Sequence, residues 1–145
     1  MQDLPHRYEA TAQANPDENV IVHSENLPRL VSAPPPEFGG PGDQWSPEHL
    51  LTGAVADCFI LTFRAIARAS KLEWTNLEVN AEGVLDRVER VTRFTTFTVR
   101  VALTVPASTD HDKALRLLEK SEAACMITNS LNADVQLETD ILVDS

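Results

Sequence analysis

Two cysteines, five glycines, one tyrosine and an aromatic content of 6% mark what this 145-residue sequence is short of. Cys58 and Cys125 are too few for a disulfide scaffold, and they lack the close spacing of a zinc knuckle or a redox CxxC pair. If they matter, the fold must bring them together. Basic residues are scarce as well: 12 Lys and Arg stand against 22 Asp and Glu, a net charge of −10. Such a surface opposes the phosphate neutralisation on which nucleic-acid binding depends, which argues against DNA and RNA as partners. No run of about 18 consecutive apolar residues suggests a membrane span. The opening MQDLPHRYEA lacks the positive and apolar regions of a secretory signal. The expectation is a soluble, cytoplasmic chain.

What is present suits one globular domain over residues 1–145: the hydrophobic fraction is 43% and charged residues make up 23%. Short β-prone runs at Arg7–Ala14, Asn19–Ser24 and Leu27–Ser32 are separated by the turn formers Asn15-Pro16-Asp17 and Glu25-Asn26, which predicts a small antiparallel meander. The stretch from Ala33 to Gln44 is rich in Pro and Gly and reads as a loop. Ser46-Pro47-Glu48 then opens a helix: serine at the N-cap, proline where its missing N–H is harmless, and a carboxylate at the positive end of the dipole. The helix should run to about Lys71. Leu50, Leu51, Ala54, Val55, Cys58, Phe59, Leu61, Thr62, Ala65, Ile66 and Ala69 line an interior that is apolar over most of its circumference, as expected of a buried central helix.

Two longer strands are predicted over Leu77–Val88 and Thr92–Val105. In the second, Phe97, Val99, Val101, Leu103 and Val105 alternate with polar positions, so one face is buried. Asp110 or Thr109 should cap an amphipathic helix with Ala114, Leu117, Leu118 and Ser121 on one face. That helix continues toward Cys125, with a restart through Ile127 to Leu131, before a last strand over Asp134–Val143. The order predicts an α+β fold with helices packed on an antiparallel sheet. Because the central helix is too apolar for one small sheet to cover, a symmetric dimer is expected.

Cys58 lies about three turns into that helix. A free cysteine in such surroundings most often acts as a small hydrophobe, and the same holds for Cys125. A reactive thiol needs its thiolate stabilised, and the neighbouring Asp57 works against this. Glu48 has an equally plain reading as a partner of the helix dipole, worth about 0.3–1 kcal/mol. His49 reads as a surface or loop-contacting histidine, since His6, His23 and His111 show no ligand spacing to it; no metal or cofactor is expected. Trp45, Phe38, Phe59 and Phe63 are either core aromatics or the lining of an apolar pocket.

Taken as one segment, Phe38-Gly39-Gly40-Pro41-Gly42, Ser46-Pro47-Glu48-His49-Leu50-Leu51, Ala56-Asp57-Cys58-Phe59 and the distant Ala123-Ala124-Cys125 resemble the family that joins osmotically inducible protein C (OsmC) with the organic hydroperoxide resistance (Ohr) proteins. The resemblance covers nearly the whole chain in element order. It implies an OsmC-like fold, an intertwined homodimer and reduction of organic hydroperoxides. Cys58 would be the peroxidatic thiolate, oxidised to a sulfenic acid that condenses with Cys125 to a disulfide. Glu48 would hold an active-site arginine, and dihydrolipoamide or a lipoylated protein would be the reductant. An apolar site would favour bulky peroxides over hydrogen peroxide, at roughly 0.8 kcal/mol per buried CH₂.

This chain departs from the family at three places. Where the family's arginine stands it has Ala14-Asn15-Pro16 and Pro34-Pro35-Pro36-Glu37, leaving Arg29 and Arg7 to reach the site from other positions. Met126 stands where many members have proline, and Ser46 replaces an asparagine. A divergent binding module for an apolar small molecule, on the same fold and with little peroxidase chemistry, is the alternative these departures motivate.

Overall fold

The computed structural model describes residues 2–144 and divides into two compact units that meet in sequence between Leu50 and Leu51. In the first, β1 (Thr11–Gln13), β2 (Val20–His23) and β3 (Leu30–Ser32) form the expected antiparallel meander. The Asn15 side chain closes the first turn by accepting from the amides of Asp17 and Glu18 at 3.0 and 2.9 Å. Asn26, at φ 64°, sits in the second. The strands are shorter than the β-prone runs because ladder pairing ends at Thr11↔His23 and Val20↔Ser32.

The Pro/Gly stretch is a loop containing one 3₁₀ turn, Pro36–Phe38. Gly40 is required there, since a Cβ would lie 1.6 Å from the Pro34 carbonyl oxygen. The loop ends where the amide of Ala33 donates to the Trp45 carbonyl at 2.9 Å. Helix α1 (Pro47–Ala69) follows at once. Ser46, fully buried, caps it by accepting from the His49 amide at 3.1 Å, and its hydroxyl also lies 2.7 Å from His49 Nδ1.

The second unit is built on a three-stranded sheet in the order β4-β5-β6, from β4 (Asn76–Val88), β5 (Val91–Pro106) and β6 (Asp134–Asp144). Two helices lie between β5 and β6: α2 (His111–Ala124) and the single turn α3 (Met126–Asn129). The Asp110 carboxylate caps α2 by accepting from the Asp112 and Lys113 amides. The β4–β5 connection is a two-residue turn, Glu89-Arg90, with both residues at positive φ, 50° and 71°. That is the geometry whose twist matches a hairpin.

The core follows from the alternation in β5. Phe97, Val99, Val101, Leu103 and Val105 are all buried, and directly across from them lie Gly83, Ala81, Val79 and Leu77 on β4 and Val135, Leu137 and Ile141 on β6. Gly83 lets the Phe94 and Phe97 rings stack at 5.0 Å, because a Cβ there would sit 2.6 Å from Phe97. Helix α1 adds Val55, Phe59, Phe63 and Ala67, one residue per turn, and α2 adds Ala114, Leu117 and Leu118 to the same cluster.

One expectation needs correcting. The sheet is mixed: β6 pairs parallel to β5, from Thr96↔Asp134 to Pro106↔Asp144, while β4 pairs antiparallel. The crossover through α2 and α3 is long enough to return the chain to the starting end of β5, which a hairpin cannot do. As expected, one small sheet does not cover α1 all round within one chain. A single stripe enters the core, because a helix presents only one face to a sheet, and Leu61 on another face is 52% exposed. By length and composition alone α1 could cross a membrane, but that stripe is packed into the core of this unit.

Candidate active site

Two of the three sequence-predicted site residues meet in the second unit. Cys58 projects from the third turn of α1 and is partly buried, whereas Cys125 is 1% exposed; both are free thiols. Cys125 occupies the joint between two helices. Its backbone is extended, at φ −66° and ψ 113°, so that one residue closes α2 and opens α3. Its amide donates back to Glu122 at 3.3 Å and its carbonyl accepts from Asn129 at 3.0 Å. The buried Thr128 hydroxyl also reaches that carbonyl, at 3.2 Å.

The break in the helix matters chemically because it releases amide donors. Burial pushes the Cys58 thiol up, but hydrogen bonds from the Ile127 amide, the Cys125 side chain, the Thr62 hydroxyl and the Met126 amide outweigh it, and the pKa falls below the ordinary thiol value. Cys125 goes the other way. Burial raises its pKa, hydrogen bonds from the Thr128 amide and hydroxyl offset this in part, and contact with a Cys58 thiolate raises it again. The two shifts run in opposite directions, so Cys58 is the more readily ionised of the pair and Cys125 the less. Such an asymmetry suits nucleophilic sulfur chemistry, in which the more readily ionised sulfur attacks.

Glu48 stands in the first turn of α1, half-buried, with its Oε2 atom buried. His49 contacts the capping Ser46, as a loop-contacting histidine should. The aromatic quartet separates: Phe59 and Phe63 are core residues, while Phe38 and Trp45 are more than half exposed. Arg7 and Arg29 are exposed residues of the first unit. Among the described residues no group of three or more His, Cys, Asp or Glu side chains could hold a metal ion.

Sequence reasoning missed Thr62 and the two amides. The signal for Thr62 was its place one turn beyond Cys58 on the same helix face. The signal for the amides was Met126 itself, since a proline there would have no N–H to offer.

Comparisons with known proteins show the family and the fold. The sequence profile of OsmC-like proteins matches residues 40–140. The uncharacterized protein YmaD of Bacillus subtilis is 32% identical over 147 residues, spanning 99% of this chain and 97% of that one. Among solved structures, an OsmC-like protein of unknown function from Vibrio cholerae superposes with a TM-score of 0.86 at 15% identity, covering 94% of this chain and all of the other. An organic hydroperoxide resistance protein OsmC from Legionella pneumophila does so with a TM-score of 0.68 at 25% identity, covering 96% and 100%. OhrB of Bacillus subtilis, another organic hydroperoxide resistance protein, gives 0.69 at 20%, covering 91% and 96%. From profile, relative and fold together, the chain belongs to the OsmC/Ohr family.

Proposed function

We propose that this protein is a cytoplasmic two-cysteine thiol peroxidase that reduces organic hydroperoxides to alcohols. The observation that carries the reading is the placement of Cys58 on α1 beside the Cys125 joint of α2 and α3, where the Cys58 pKa is lowered and that of Cys125 raised. The Cys58 thiolate attacks one oxygen of ROOH, the O–O bond breaks, and the departing alkoxide takes a proton to leave as ROH. Cys58 becomes a sulfenic acid. The Cys125 thiol then displaces its hydroxyl as water, closing a Cys58–Cys125 disulfide. A dithiol such as dihydrolipoamide, free or on a lipoylated protein, returns two electrons and two protons by thiol–disulfide exchange.

Glu48 serves in this reading to hold an arginine toward the thiolate. The 1–145 chain acts as one OsmC-like domain within an intertwined homodimer. The apolar surface that α1 leaves uncovered, Leu61 included, supports the dimer.

The test is intact mass under non-reducing conditions after one equivalent of cumene hydroperoxide is added to reduced protein, with hydrogen peroxide in parallel. Loss of two hydrogens, faster with the organic peroxide, is expected. An unchanged mass would overturn the reading in favour of an apolar binding module.

A further inference from the structure

Thr62 is not among the residues that the family pattern singles out, yet its hydroxyl oxygen lies 3.8 Å from Cys58 Sγ, within reach of a sulfur hydrogen bond. The two residues are one helical turn apart on α1, and both are partly buried. A threonine or serine inside a helix ordinarily turns its hydroxyl back to the carbonyl four residues earlier. Ser121 on α2 does this, donating to the Leu117 carbonyl at 2.7 Å. Thr62 instead has its hydroxyl on the sulfur.

We propose that Thr62 is a positioning residue for the peroxidatic sulfur: its hydroxyl donates to the Cys58 thiolate and holds it on the side of α1 that faces Cys125. A thiolate has no proton to give, so when Cys58 is ionised the hydroxyl must be the donor. The contact therefore strengthens on ionisation. The backbone of Met126 and Ile127 and the thiol of Cys125 approach the same sulfur from the α2–α3 joint. Of the groups acting on Cys58 from that joint, only Cys125 titrates; on its own helix the nearest charged residues, Asp57 and Arg64, are exposed. Thr62 is the one donor contributed by a side chain of α1 itself. It can act before any disulfide chemistry begins.

The proposal rests on Cys58 working as a thiolate, and its test uses no peroxide, so the two ideas can fail separately. The pH dependence of iodoacetamide modification at Cys58 would be followed by peptide mass mapping of the full chain in the wild type, Thr62→Val, Thr62→Ala and Thr62→Ser. Valine keeps the shape and removes the donor, alanine removes both, and serine keeps the donor. The valine and alanine variants should shift the midpoint upward, with about three- to tenfold less thiolate at pH 7, and serine should restore it. A midpoint unmoved in both donorless variants overturns the proposal, as does an equal shift in the serine variant, which would mark a packing effect. Should the valine variant fail to fold by circular dichroism, the alanine and serine pair gives the same decision. A preserved midpoint pattern with no peroxide reaction would sink the peroxidase reading and leave this one standing.

Discussion

A cysteine inside an apolar helix has no reason to ionise, and burial alone does push the Cys58 thiol up. Local donors reverse the sign. Since the Cys58 pKa is lowered and that of Cys125 raised, iodoacetamide should modify Cys58 first. The midpoint of its pH–rate profile should lie below that of Cys125. Equal rates at both sites, read by peptide mapping, would contradict this. Cys58→Ser is expected to abolish peroxide turnover. Cys125→Ser should leave one oxidation event at Cys58, visible as a gain of one oxygen, with no disulfide to follow. At this scale the sequence was only half legible. Cys58, Cys125 and Glu48 could be put forward as candidates from their motifs, but amide donors have no letter in a sequence, and Met126 and Ile127 act through their backbones.

Individual elements were more legible, because their signals are local. Ser46-Pro47-Glu48 marked the start of α1 to the residue, and Asp110 marked that of α2. Removing that cap by Asp110→Ala leaves two amides without their acceptor and should cost about 1 kcal/mol, measured by urea unfolding. Gly83→Ala should cost more than a surface change, since the new Cβ meets Phe97 and Phe94 at under 3 Å and the stacked pair must separate. The direction of β6 was not legible. Its alternating pattern is the same whether it pairs parallel or antiparallel, and the choice was made by the helical crossover. The apolar circumference of α1 was legible as a pattern, but periodicity records what a surface wants to cover it, not which chain does so.

At the scale of the whole molecule, that uncovered surface is the strongest pointer to self-association. Sedimentation should find a dimer, and Leu61→Asp, placing a charge at a position 52% exposed in one chain, should shift it toward monomer without loss of helix. A wild-type monomer at micromolar concentration would refute the dimer. The acidic balance of −10 would keep such dimers apart from one another in solution.

The joint at Cys125 has one further consequence. A bridge from there to Cys58 would convert the intervening chain into a covalent ring that encloses β4, β5 and α2, while the β1–β3 meander and β6 stay outside it. A ring of that size removes about 4 kcal/mol of freedom from the unfolded chain. Each encounter with peroxide would then fasten the centre of the fold and each reductive step unlatch it, so that melting temperature itself would report the oxidation state.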